Sequence, residues 1–177
     1  MAGTCGPDDV VIRERTSADD AAIRRLNDDA FGGHYESRLI EDLRAAGLDA
    51  VELVAVENDD IVGHILFSVL ATTIDRQTVP ALALAPMAVR PDRQRRGTGS
   101  ALVRAGLDLA RHRDWRAVIV LGHKGYYPRF GFSATLARPL EAPFSGDAFM
   151  ALELAPDALR GEKGGVTYPR AFGVTNA

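Results

Sequence analysis

The strongest constraint on the fold lies between residues 78 and 121, where the apolar period changes twice. Thr78 to Val89 is a mainly apolar segment of strand character. Gly97-Thr98-Gly99 then opens a segment in which Leu102, Val103, Ala105, Gly106, Leu109 and Ala110 recur at mostly helical intervals, as far as Arg113. Ala117-Val118-Ile119-Val120-Leu121 is a continuous apolar run, as expected of a strand covered on both faces. Strand, glycine-bearing turn, helix and strand make a βαβ unit, with parallel strands and a right-handed crossover. The chain must therefore build a sheet with a parallel pair at its centre.

The flanking segments supply antiparallel strands and more helices. Val10 to Ile12 reads as a short strand. Thr16 and Ser17 offer an N-cap, with Asp19 and Asp20 three residues on, before a helix carrying Ile23, Leu26 and Ala30. Leu39, Ile40 and Leu43 mark a second amphipathic helix that stops near Gly47. Val51–Glu57 and Ile61–Leu70 are strands joined by the turn Asn58-Asp59-Asp60, and Asp75-Arg76-Gln77 is the next turn. Pro86 cannot donate a ladder hydrogen bond, so the strand that holds it bulges or loses pairing there. Tyr126 to Phe130 is a short helix or turn, and Ala148 to Leu154 a final strand. The expected class is α/β with a mixed, mostly antiparallel sheet.

At 177 residues the chain is one domain of ordinary size. Lysine and arginine number 21 against 24 acidic residues, a net charge of −3 that disfavours bulk nucleic-acid binding. No stretch has the roughly 18 apolar residues of a membrane helix. The N-terminus has no basic segment followed by an apolar one, so a cytoplasmic protein is expected. Cys5 is the single cysteine and cannot form an internal disulfide. His34, His64, His112 and His123 lack metal-ligand spacing, so no metal is expected.

The chemistry concentrates in Met87 to Leu102. Glycines at 97 and 99 let successive backbone N–H groups converge beside the positive end of a helix, which makes a phosphate site. Arg90, Arg93, Arg95 and Arg96 add charge around the same turn. A nucleotide P-loop would need a lysine after the glycines, and a dinucleotide fingerprint would need glycine where Leu102 stands. A tight turn with a solvated arginine cluster is the alternative that chemistry alone leaves open.

Gln94-x-x-Gly97-x-Gly99, after a strand ending Met87-Ala88-Val89, resembles the acetyl-coenzyme-A-binding motif of the GNAT superfamily of N-acetyltransferases. Tyr126-Tyr127-Pro128-Arg129-Phe130-Gly131-Phe132 resembles the Tyr-x-x-x-Gly-Phe signature of the same superfamily. Both motifs occur in the right order, and the resemblance extends from about Val10 to Leu154. It implies a GNAT domain over residues 10–160, a flexible N-terminus at 1–9, and a tail at 161–177 that packs on the domain or on a dimer partner. It also implies splayed fourth and fifth strands (Thr78–Val89 and Ala117–Leu121).

The resemblance implies acetyl-CoA as cosubstrate and a small-molecule or peptide amine as acceptor. The pantetheine arm would pair with Met87, Ala88 and Val89. The pyrophosphate would lie on Gln94, Arg95, Arg96, Gly97, Thr98, Gly99 and Ser100. Tyr127 matches the tyrosine that protonates the departing thiolate, and Tyr126 is one register away. His64 and Glu36 are candidates for the base or the acceptor side. Gly122-His123-Lys124-Gly125 departs from the usual pattern just before these tyrosines.

Overall fold

The computed structural model describes residues 9–176. Of the start at residues 1–9 expected to be flexible, residues 1–8, with Cys5, lie outside them. The chain forms β1 (Val11–Glu14), α1 (Asp20–Phe31), α2 (Tyr35–Ala45), β2 (Asp49–Glu57), β3 (Asp60–Val69), β4 (Ala71–Ile74) and β5 (Gln77–Thr78). It continues through β6 (Ala81–Val89), α3 (Thr98–His112), β7 (Ala117–Leu121), α4 (Ala134–Ala137), β8 (Leu140–Glu141), β9 (Phe149–Glu153) and β10 (Gly164–Thr167). The main sheet has the order β1-β2-β3-β6-β7-β9. All its neighbours are antiparallel except β6 and β7, the parallel pair of the βαβ unit.

Side-chain alternation sends the two faces of this sheet to different helices. Leu82 and Leu84 of β6 face α3, in a core with Leu102, Val103 and Leu107. Ala81 and Ala83 face the other side, with Ile23 of α1 and Leu39, Ile40 and Leu43 of α2. Gly106 lets α3 lie close to the sheet: a Cβ there would fall 2.2 Å from the ring of Phe67.

The βαβ pair is short. β6 and β7 match only at Ala81–Ala117, Leu82–Val118 and Ala83–Ile119. Beyond that, β6 pairs with β3 alone. Its register against β3 shifts between Ile65–Met87 and Phe67–Leu84, so Ala85 and Pro86 form the bulge expected from the proline. The expected continuous strand from Thr78 to Val89 is divided. Val79 and Pro80 interrupt it, and the carbonyl of Pro80 accepts the N–H of Arg116 at 2.8 Å.

The segment before that break forms a second sheet that the sequence did not reveal, in the order β5-β4-β10-β8. Asp75 and Arg76 are both left-handed (φ 47° and 68°), matching the twist of a two-residue hairpin between β4 and β5. The Asp75 carboxylate accepts the N–H groups of Glu162 and Lys163. β10 then pairs antiparallel with β4 and parallel with β8. Gly164 permits this approach, because a Cβ there would lie 2.5 Å from the Thr73 carbonyl oxygen. The tail therefore packs on its own domain, burying Tyr168 and Phe172.

A polar network ties α1 and α2 to the sheet. His64 is fully buried on β3. The Asn27 Nδ2 group donates to the Ile23 carbonyl at 2.9 Å and faces His64 Nδ1 at 3.3 Å. The imidazole proton therefore sits on Nε2, which donates to Glu52 at 2.8 Å. Arg44 donates to the same carboxylate and also pairs with Asp20. Burial pushes Glu52 up, yet the hydrogen bonds and charges of His64 and Arg44 outweigh it and hold the group at about 2. Burial pushes His64 below its ordinary 6.5, against the opposing pull of Glu52.

Both shifts are downward, so the unfolded chain takes up protons that the folded chain refuses. The stability they contribute is complete above 6.5 and falls on acidification, first below 6.5 and then below 4.5. The denaturant midpoint should drop between about pH 7 and about pH 5, with a smaller drop in His64→Gln. An unchanged wild-type midpoint over that range would contradict this account. Separately, Gly106→Ala should lower unfolding free energy by about 1–3 kcal/mol, measured by urea titration, because the helix must move off Phe67.

Candidate active site

Where β6 and β7 part, a cleft of about 1090 Å³ opens, slightly beyond the roughly 300–1,000 Å³ of ordinary small-molecule pockets. Its lining includes Tyr126 and Tyr127, packed with the α3 face, and Tyr168 and Phe172, packed with the α1–α2 face. The cleft thus passes through the sheet.

At its α3 end lies the glycine turn. Arg95 and Gly97 are left-handed (φ 63° and 85°). The first intrahelical bond of α3 runs from the Ala101 N–H to the Gly97 carbonyl, which leaves the N–H groups of Thr98, Gly99 and Ser100 without a helical acceptor. Met87, Val89, Gln94, Arg95, Gly97, Gly99 and Ser100 line the cleft. Ala88, Arg96 and Thr98 are not on its wall. Ala88 is buried, and the Thr98 methyl lies 3.3 Å from where a Cβ on Gly63 would stand. Gln94 is anchored by a hydrogen bond from its amide to the Val89 carbonyl at 3.0 Å.

The arginine cluster is less positive than its sequence suggests. Arg90 pairs with Asp92 at 2.6 Å, and Arg93 with Glu57 and Asp92. Arg95 and Arg96 are exposed and form no ion pair among the described residues, and of these two Arg95 alone lines the cleft.

The two adjacent tyrosines have distinct settings. The Tyr126 hydroxyl lies 3.0 Å from Ser100 Oγ, and Arg129 sits 4.6 Å over its ring. Tyr127 is only 8% exposed, packed edge-on against Tyr126 and Phe132. It lines the cleft, and its hydroxyl has no protein hydrogen-bond partner among the described residues. Burial, then the nearby Tyr126, pushes its pKa up to about 12, so the phenol stays protonated at neutral pH.

Within the unusual segment before the tyrosines, Gly122 has a steric reason. A Cβ on Gly122 would fall 2.4 Å from the Tyr127 ring. The His123 carbonyl accepts the N–H groups of both tyrosines, and His123 lines the cleft. Lys124 points elsewhere, 3.9 Å from Asp147.

His64 is not on the wall. Strand alternation turns it to the α1–α2 side, where it is sealed in the network with Glu52 and Asn27, so the structure does not bring this base or acceptor-side candidate onto the cleft wall. Glu36 does line the cleft, at the start of α2. Phe31 and Tyr35, in the stretch Ala30 to Glu41 expected to face the acceptor, and Phe144, in the turn before the last strand, also line it, as do Tyr168, Phe172 and Val174 of the tail, which were not expected there. Aromatic residues in a glycine-rich tail indicated packing, but nothing local pointed to the cleft. Among the described residues no group of three His, Cys, Asp or Glu could hold a metal, and no helix is long and apolar enough to cross a membrane.

Residues 21–132 match the model of the acetyltransferase (GNAT) family. The N-acetyltransferase YhbS of Escherichia coli is 34% identical over 158 residues, which span 86% of this chain and 90% of YhbS. YjhQ of the same organism, also named an N-acetyltransferase, is 38% identical over 124 residues, 68% of this chain and 67% of its own. The crystal structure of YhbS in complex with CoA superposes with a TM-score of 0.85 at 30% identity, covering 93% of this chain and 92% of that one. A GNAT family acetyltransferase from Brucella melitensis in complex with acetyl-CoA gives 0.77 at 32% identity, covering 93% and 98%. With both motifs on the walls of one cleft and a matching family model over most of its length, the chain belongs to the GNAT family of acetyltransferases.

Proposed function

We propose that this protein transfers the acetyl group of acetyl-CoA directly to a primary amine of a small molecule or peptide. One observation carries the reading: a single cleft joins an unpaired strand edge, a turn of unused N–H donors and a tyrosine hydroxyl with no protein partner. The CoA and acetyl-CoA complexes of the two similar structures support it.

Each part suits one portion of acetyl-CoA. The edge of Met87 to Val89, left without a neighbour once β7 departs, would take the amide-bearing pantetheine arm as an added strand. The N–H groups at the start of α3 would hold the pyrophosphate, with Arg95 adding charge. The amine must first lose its proton, because an alkylammonium of pKa about 10.4 cannot attack. Its nitrogen then bonds to the acetyl carbon, and a strand N–H near Met87 or Ala88 would stabilise the oxyanion. The carbon–sulfur bond breaks as the amide forms, and the nitrogen sheds its surplus proton to water. The thiolate takes its proton from Tyr127, and the phenolate is reprotonated from water.

Tyr127→Phe should lower kcat about 100-fold or more while leaving the Kd for CoA near that of the wild type, as measured by steady-state kinetics and calorimetry. A fall in CoA affinity with kcat intact would refute the acid role. Gly97→Val should weaken CoA binding at least about tenfold, since a side chain is strained at φ 85° and the N–H donors would move. Arg95→Glu should weaken CoA binding more than Arg96→Glu, because Arg95 alone of the two is on the wall. The transfer itself is tested by thiol release from acetyl-CoA across an amine panel. CoA binding without turnover of any amine would instead support a sensing module.

A further inference from the structure

The two ends of the cleft differ in chemistry. Every basic residue on its wall belongs to the glycine turn or to the segment at 122–130. The α1–α2 end is aromatic. Phe31 and Tyr35 come from the helices, Phe144 from the loop before β9, and Tyr168 and Phe172 from the tail. Tyr168 packs edge-on to Phe144 at 5.3 Å and to Phe172 at 5.1 Å. The Tyr35 hydroxyl donates to the Phe172 carbonyl at 2.6 Å, which fastens the tail against α2. Glu36 is the sole carboxylate among the lining residues.

Tyr168 adds an independent sign. It is 6% exposed, and its hydroxyl has no hydrogen-bond partner among the described residues, although it lines the cleft. A hydroxyl on the cleft wall with no protein partner is open to one that arrives with the ligand.

We infer that the acceptor is a singly charged amine on an aromatic body, with its ammonium drawn to Glu36 and its ring seated on the wall that Tyr168 and Phe172 complete. The inference rests on the amine-transfer reading above and names its substrate class. One carboxylate balances one cation, and aromatic faces attract a cation and stack on a ring. A polyamine would place further charges on apolar surface. An amino acid would bring a second carboxylate beside Glu36, at an end of the cleft with no basic residue on its wall. Before attack the ammonium gives its proton to water, and Tyr168 can then accept a hydrogen bond from the neutral amine.

The test titrates the CoA-loaded protein with 2-phenylethylamine, 2-phenylethanol, phenylalanine and spermidine by calorimetry, and assays the three amines with acetyl-CoA. 2-Phenylethylamine should bind tightest and give the highest kcat/KM, with the other ligands at least about tenfold weaker. Glu36→Gln should raise KM for 2-phenylethylamine about tenfold, and Tyr168→Phe should raise it less, each with CoA affinity unchanged. A preference for spermidine or phenylalanine overturns the aromatic-amine assignment while amine transfer stands. Binding of 2-phenylethylamine with no amine acetylated overturns transfer while the acceptor site stands. No binding of 2-phenylethylamine, or binding indifferent to Glu36→Gln, overturns the assignment.

Discussion

The site depends on three matched residue pairs. β6 and β7 stay together from Ala81–Ala117 to Ala83–Ile119 and then separate. Longer pairing would close the sheet and remove the cleft; no pairing would leave the helix α3 unanchored at one end. Two local causes hold the balance. The bulge at Ala85 and Pro86 turns β6 while β3 continues to support it, and Pro86 has no N–H to offer β7. The aromatic cluster around Tyr127 then fills the space beside the departing end of β7, with Gly122 giving the ring room.

This parting gives the two walls different chemical tasks. The α3 wall presents backbone donors that are exposed because a helix begins there, so its positive potential comes mainly from main-chain geometry. Two of the four nearby arginines are committed to Asp92 and Glu57 and serve to brace the turn. The α1–α2 wall is built from side chains. Its shape rests on the buried network of His64, Glu52 and Arg44, which joins the strands to the helices without reaching the cleft.

What was legible in the sequence follows from how local each signal is. The βαβ unit, the glycine turn and the tyrosine motif are set by contiguous residues, and each occurs where expected. Pro86 marked the bulge because proline lacks a donor at a known position. The second sheet was hidden, since β4 and β10 are short and 90 residues apart, and their pairing depends on Gly164 meeting Thr73. His64 entered as a base candidate by its pKa, whereas strand alternation decides which face it sees. The setting of the Tyr126 hydroxyl depends on Ser100, a whole helix and strand earlier in the chain.

The stitching of the tail has a further consequence. Residues 161–176 are held by Asp75, by β4 and β8, by the Tyr35 hydroxyl, and by the mutual bonds of Tyr168 and Asn176. None of these attachments involves the glycine turn or Tyr127. The aromatic end of the cleft and the glycine turn are therefore held by separate sets of contacts. Substitutions in this short terminal segment can reshape the aromatic wall while the glycine turn and Tyr127 keep their own supports.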